Sequence, residues 1–291
     1  MLNNTLQQLI DLAILEDLSS NSLCVTTKLF NFTNTIVKAK IISKQKNIIT
    51  LCGIDIINPV LDTIAKKINC KTNYHIKKYF NDTDKVQTGD IICEITATKD
   101  LLLISERIIL NFLQYLSAIA TKTATFVTLL KNTNTKILDT RKTLPAYRYL
   151  AKYAVRCGGG YNHRMGLYDM ILIKDNHIAT SSIKSIVTKL IANNTKLPII
   201  IEINTQQQLQ ELLSLNLNDK FSRILLDNMN IAELKQAVKY IKKTQVNLTT
   251  EASGNIDINN ILAIANTGVD FISMGCLTHS VETIDLSLKI Y

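Results

Sequence analysis

The chain has 291 residues, 46% of them hydrophobic and 20% charged. That balance excludes a disordered chain and suffices for one large domain or two of ordinary size. The formal net charge of +9 suggests nucleic acid, a membrane surface or an anionic small molecule, but the lysines stand in scattered pairs such as Lys66–Lys67 and Lys242–Lys243. No basic run is interleaved with aromatics, so nucleic acid is set aside as a partner.

The chain opens with "MLNNTLQQLIDLAILEDL", apolar at helical spacing and carrying Asp11, Glu16 and Asp17. An amphipathic helix is expected there, not a signal peptide. "TIVKAKIISKQ" (35–45) alternates as a half-buried strand does. In "YFNDTDKVQTGDIICEI" a polar turn with Gly89–Asp90 precedes another strand. "LLLISERIILNFLQYLSAIATKTATFVTLL" repeats apolar residues every three or four positions and predicts one long helix. No apolar run of 18 residues occurs, so no membrane span is expected. The six cysteines show no CxxC spacing, which points to reduced thiols and a cytoplasmic protein.

From about residue 136 the rhythm changes. Short apolar runs end in polar residues: "KILDTRK" at Asp139–Lys142, "MILIKD" at Lys174, "PIIIEI" at Glu202, "RILLDN" at Asp227, "VNLTTEASG" at Glu251 and "VDFISMG" at Gly275. Helical patterns such as "TQQQLQELLSL" and "NIAELKQAVKYIKK" lie between them. Repeated βα units with polar strand ends predict a β/α barrel, with a doubly wound sheet as second choice. Six such strands rather than eight make the barrel incomplete. In a barrel the carboxyl ends of the strands meet at one mouth. That mouth would gather the cations Arg141, Lys142, His163, Arg164 and Lys174, the carboxylates Glu202, Asp227 and Glu251, and the small groups Ser253, Gly254 and Gly275, with His279 just beyond. Arginine grips carboxylate or phosphate through paired N–H bonds, and lysine adds a point charge. Backbone N–H groups at "SGN" and "MGC" hold phosphate if a helix starts there. A lone strand-end charge is most often a surface group; the periodic placement is what singles these out. Four of the nine glycines fall between Gly158 and Gly166, and the expectation is that they let the backbone turn tightly beside an anionic substrate.

The segment "DTRKTLPAYRYLAKYAVRCGGGYNHRMGLYDMILIKDNHI" (139–178) closely resembles the hallmark of the quinolinate phosphoribosyltransferases. "SERIILNFLQYLSAIAT", "IEINT", "RILLDNM", "EASGN" and "DFISMGCLTHS" extend the resemblance. It implies an N-terminal α/β sandwich domain, 1–115 joined by 280–291, and an incomplete TIM-like α/β barrel, 116–279. It implies transfer of phosphoribosyl from phosphoribosyl pyrophosphate to quinolinate, with CO2 and pyrophosphate released, and a requirement for Mg2+. It also implies a homodimer, with a hexamer as the alternative, and no membrane partner. Carried over residue by residue, Arg107, Thr140, Arg141, Lys142, His163, Arg164 and Lys174 bind the substrates' anionic groups, Arg107 from the neighbouring subunit. Glu202 and Asp227 lie near the ribose and Mg2+. Ser253, Gly254, Asn255, Gly275 and His279 form or flank the phosphate turns. Lys142, Lys174, Glu202 and Asp227 are the expected catalytic residues. Asn255, Ala146 and Ala118 replace frequent glycines, and Asn is the residue other than glycine that best tolerates left-handed backbone.

Overall fold

The computed structural model describes residues 2–20, 24–30, 35–70, 73–193, 195–215, 220–244 and 248–291. Val246 and Asn247, at the start of the expected strand 246–254, lie outside them. The first part of the chain runs α1 (Leu2–Leu18), α2 (Val25–Phe30), β1 (Ile36–Ser43), β2 (Ile49–Thr50), α3 (Ile57–Lys67), β3 (His75–Lys78), β4 (Lys85–Val86), β5 (Ile91–Thr98) and α4 (Lys99–Leu129). Then come β6 (Lys136–Leu138), α5 (Arg148–Cys157), β7 (Ile171–Ile173), α6 (Asp175–Ala179), α7 (Ile183–Asn193), β8 (Ile199–Ile203), α8 (Gln206–Ser214), β9 (Arg223–Asp227) and α9 (Ile231–Thr244). The chain ends with β10 (Thr249–Ser253), α10 (Ile261–Ala265), β11 (Phe271–Ser273), α11 (Cys276–His279) and β12 (Leu286–Ile290). These elements form two compact units. The first is Met1–Ala124 with Thr143–Gly159 and Thr278–Tyr291; the second is Thr125–Lys142 with Gly160–Leu277.

In the first unit an antiparallel sheet runs in the order β12-β1-β5-β3. The C-terminal strand pairs with β1, Ala39 facing Ile290 and Ser43 facing Leu286. Alternation in β1 buries Ala39 and Ile41, as period-two patterning requires. At one edge of the sheet β3 carries Lys77 and Lys78, charges that discourage pairing with another chain. In α4, Leu101, Leu102, Ile108, Ile109, Leu113, Leu116 and Ala120 are buried at three- and four-residue spacing. Each large side chain so buried contributes about 1.5–3 kcal/mol. By length and composition α4 is apolar enough to cross a membrane, yet 72% of its most apolar stretch is buried in the protein, the profile of a core helix.

Gly158, just after α5, shows why one glycine of the "CGGG" run is needed. A Cβ there would overlap the Ala120 carbonyl oxygen and lie 2.6 Å from Thr123 Cβ on α4. A Cβ on Gly166 would overlap the Tyr168 ring. The room these two glycines keep open is filled by the protein's own groups. Ala146, before α5, holds φ 60°, a conformation that costs an alanine about 1–2 kcal/mol.

The second unit is built on a six-stranded parallel sheet in the order β6-β11-β10-β9-β8-β7. All five residues of β8 are buried, as in parallel strands covered on both faces. Helices α6 to α10 alternate with the strands. No pairing joins β6 to β7 among the described residues, so the sheet is an open, incomplete α/β barrel of six strands. Parallel pairing brings the carboxyl ends of all six strands to one side, where such folds carry their chemistry.

Candidate active site

The site is built from the residues that leave these strand ends. After β6, the buried carboxylate of Asp139 accepts the backbone N–H of His163 at 2.7 Å. The Asp139 N–H donates to the Tyr161 carbonyl at 3.1 Å, and the Tyr161 N–H to that of Ile137 at 2.8 Å. The segment that carries His163 and Arg164 is thereby sewn to the end of β6. Beside it Thr140 Oγ1 accepts the Lys142 N–H at 3.0 Å, a local turn that leaves Lys142 exposed and Arg141 half-buried. Arg164 is 8% exposed and donates from Nη1 to the Met170 carbonyl at 3.2 Å. Burial and the charge of Arg141 lower its pKa, with Asp169 opposing. Two guanidiniums this close favour an anion between them. Asp169 itself accepts the Met165 and Gly166 N–H groups at 2.6 and 3.2 Å, folding the next loop.

Lys174 follows β7 and is exposed; its N–H donates to His177 Nδ1 at 2.9 Å. Glu202, one residue before the end of β8, is 8% exposed. Burial raises its pKa, and Asp227 raises it further, while Lys174 and the Asp175 N–H pull it down. The two carboxylates and the lysine therefore sense one another across three strand ends. Asp227 accepts hydrogen bonds from Ser253 Oγ and from Asn228 Nδ2, the latter at 2.7 Å.

The turn after β10 locks into the turn after β9. Asn228, Gly254 and Asn255 all have positive φ, 55°, 94° and 48°. The Asn228 N–H donates to the Ser253 carbonyl at 2.9 Å, and Asn255 Nδ2 donates to Asn228 Oδ1 at 3.3 Å. Asn255 thus takes the left-handed backbone that its asparagine allows. A Cβ on Gly254 would overlap Asn228 Oδ1. Gly254→Ala is expected to destabilise the protein by about 1–3 kcal/mol through backbone strain and overlap, whereas Asn255→Gly stays within about 1 kcal/mol of the parent. Urea denaturation of the two variants checks both. No helix starts at Ser253–Asn255, contrary to the condition set for phosphate binding there; α10 begins only at Ile261. Gly275, by contrast, directly precedes α11.

Four expected residues sit differently from a row of open charges. Glu251 lies in the middle of β10, not at its end, and its side chain is fully buried. Its carboxylate binds Arg223 Nη1 at 2.8 Å and faces His163 Nε2 at 3.5 Å. His163 Nδ1 accepts the Arg164 N–H at 2.8 Å, so its proton sits on Nε2, toward Glu251. The His163 side chain is 7% exposed and faces this interior carboxylate. Arg107 is exposed on α4 and His279 ends α11, both in the first unit; His279 Nδ1 lies 2.6 Å from Ser280 Oγ. The second unit brings together Thr140, Arg141, Lys142, Arg164, Lys174, Glu202, Asp227, Ser253, Gly254, Asn255 and Gly275. Asn228, Asp169 and Arg223, which help to position them, have no counterpart among the expected residues, and Asp139, expected only as a strand end, is the anchor of the His163 segment.

Residues 24–117 match the N-terminal domain of quinolinate phosphoribosyl transferase and residues 119–289 its C-terminal domain. The chain belongs to the quinolinate phosphoribosyl transferase family. Within that family it is 37% identical, over 98% of its length and 93% of the relative's, to the probable nicotinate-nucleotide pyrophosphorylase [carboxylating] of Bacillus subtilis. It is 35% identical to the nicotinate-nucleotide pyrophosphorylase [carboxylating] of Mycobacterium leprae, over 96% of this chain and 94% of that one. The solved nicotinate-nucleotide pyrophosphorylase of Francisella tularensis superposes with a TM-score of 0.89 at 36% identity, covering 99% of this chain and 97% of that one.

Proposed function

We infer that the chain transfers phosphoribosyl from phosphoribosyl pyrophosphate to quinolinate, with loss of CO2. The products are nicotinate mononucleotide and pyrophosphate, a step of NAD biosynthesis. The observation that carries this reading is the gathering of Arg141, Lys142, Arg164 and Lys174 with Glu202 and Asp227 at the strand ends of one sheet. Cations match a dicarboxylate and phosphates; paired carboxylates match a sugar centre that turns positive.

In this reading Arg141 and Arg164 hold the anionic groups of the substrates, with Lys142 on the adjoining turn. The pyridine nitrogen is oriented toward the ribose C1. As pyrophosphate departs, C1 gains oxocarbenium character, and Glu202 and Asp227 stabilise it. The nitrogen attacks C1 and becomes positive. That positive charge stabilises the ring carbanion left when the neighbouring carboxylate departs as CO2, and a proton from solvent then takes the place of the carboxylate on that carbon. No step needs a covalent bond to the protein, so no nucleophile is assigned. Glu202 and Asp227 are hard oxygen donors close enough for Asp227 to raise the Glu202 pKa, a donor set that fits Mg2+. When bound, Mg2+ supplies positive charge to the departing pyrophosphate. The cysteine usage supports assignment to the cytoplasm.

The deciding experiment is turnover of quinolinate with phosphoribosyl pyrophosphate and Mg2+, following nicotinate mononucleotide and CO2 together. Both products are expected from quinolinate and none from nicotinate. No turnover of quinolinate, or turnover of another pyridine or pyrimidine acid in its place, overturns the reading.

The working form is proposed to be a homodimer, with Arg107 serving the neighbouring site; its exposure on α4 supports that role. Arg107→Ala and Arg141→Ala chains are each expected to be inactive alone. Mixed, they regain up to about a quarter of parental activity, because random pairing of two chains restores one intact site in half of the dimers. No recovery in assays of the mixture means that both residues act from one chain.

A further inference from the structure

Cys52 and Cys157 are far apart in the chain but meet within the first unit. Cys52 follows β2 and is fully buried. Its N–H donates to Ser117 Oγ at 2.9 Å, and its carbonyl accepts from the same hydroxyl at 3.2 Å, which pins it to α4. Cys157 ends α5 and is partly exposed. The two sulfurs and a carboxylate oxygen of Asp82 lie within 4.8 Å of one another. Tyr153, one helical turn before Cys157, donates its hydroxyl to Asp82 Oδ2 at 2.5 Å.

The chemistry of the cluster separates a thiol pair from a metal site. The Asp82 carboxylate is already engaged: Oδ1 accepts the Gly53 and Ile54 N–H groups at 2.8 and 2.9 Å, and Oδ2 holds the Tyr153 hydroxyl. A zinc ion would have to compete with that set, whereas sulfur–sulfur chemistry leaves it intact. The two thiols also differ from one another. The neighbouring Cys52 thiol holds Cys157 below the usual thiol range, against its partial burial. The Cys157 thiol, with burial, pushes Cys52 far up. A partly exposed, more acidic thiol beside a buried neutral one has the layout of an attacking and a resolving cysteine.

We propose that Cys157 and Cys52 form a peroxide-reactive thiol pair, with Cys157 as the attacking sulfur and Cys52 as the resolving one. The Cys157 thiolate attacks one oxygen of hydrogen peroxide. The O–O bond breaks, the departing hydroxide takes up a proton as water, and Cys157 becomes a sulfenic acid. The Cys52 sulfur then attacks the sulfenic sulfur. The S–O bond breaks, the hydroxyl leaves as water with the Cys52 proton, and a disulfide remains. Two thiols have given two electrons and two protons to one peroxide, forming two waters. Cys24 and Cys70, also partly exposed, serve as internal controls.

The test treats the full chain with hydrogen peroxide, blocks remaining thiols with N-ethylmaleimide and maps unreduced peptides by mass spectrometry. A Cys52–Cys157 linked peptide, reversed by dithiothreitol, is expected to form at least about tenfold faster than oxidation of Cys24 or Cys70. In Cys52→Ser, Cys157 is expected to stop at sulfenic acid or pass to sulfinic acid. The time course of the unaltered chain decides the matter even if that variant folds poorly. Oxidation of Cys157 no faster than that of Cys24, or oxidation of either cysteine without the link, overturns the proposal. So does an equivalent of zinc in the purified protein that Cys157→Ser loses, which makes the cluster a metal site instead.

Discussion

Lys174→Ala is expected to lower kcat/KM for quinolinate about ten- to a hundredfold or more, and Arg141→Ala to do the same. A hydrogen bond to a charged group is worth about 1.5–3 kcal/mol, and each tenfold in rate corresponds to about 1.4 kcal/mol of transition-state stabilisation. Contacts that persist while pyrophosphate leaves are lost in full from kcat/KM. Lys174 has a second effect that distinguishes it from Arg141. It is the side chain that pulls the Glu202 pKa down against burial and Asp227. Without it Glu202 takes up a proton at higher pH, so the acid limb of the pH–rate profile moves upward in Lys174→Ala. Lys242 is the control: its side chain is half exposed, donating to the Gly268 carbonyl at 2.6 Å and standing 3.8 Å from Asp270. A surface contact of that kind contributes little, and Lys242→Ala should retain parental kcat/KM. Near-normal kcat/KM in Lys174→Ala and Arg141→Ala, measured with both substrates varied, would remove the proposed roles.

The strand ends were legible because burial forces a simple pattern. Parallel strands covered on both faces read as apolar runs, and the first polar residue after each run marks the mouth. Asp139, Lys174 and Asp227 follow that rule. The same uniformity hid Glu251. Inside an apolar strand nothing in the sequence says which residue has the last strand position, and β10 continues two residues beyond the carboxylate. Arg223 was hidden for a related reason. It sits at the start of β9, so its charge reads as part of the preceding loop, yet its guanidinium stacks 3.8 Å from the centre of the Phe271 ring and reaches Glu251. Long-range register brings those three residues together: Glu251 pairs with Leu225 on one side and Phe271 on the other. The sequence does not record that Gly158, just after α5, packs against the backbone of α4. The meeting of Cys52 and Cys157 was hidden by the same long separation.

Glu251→Ala is expected to cost about 3–5 kcal/mol of stability, the usual result of leaving one member of a buried ion pair without its partner. The side chain is fully buried, and Arg223 retains only 16% exposure. Burial alone would raise the Glu251 pKa, but the adjacent His163, Arg223 and Ser273 outweigh it and leave the pKa lowered. A depressed carboxylate pKa stabilises the fold above its unfolded value of 4.5, and this contribution disappears as pH falls through the folded value. Glu251→Gln should therefore be less stable than the parent at neutral pH, with the difference shrinking as the solution is acidified. Removing both partners, in Arg223→Met with Glu251→Met, should cost less than the two single changes added together, because neither charge is left behind. Urea denaturation from neutral to acid pH measures the parent and each of these variants. A cost below about 1 kcal/mol for Glu251→Ala, or additive single changes, would mean that the pair is incidental. The pair matters to the site because His163 joins it by its ring and Asp139 by its backbone. The same residue thus ties the interior of the sheet to the segment that presents Arg164.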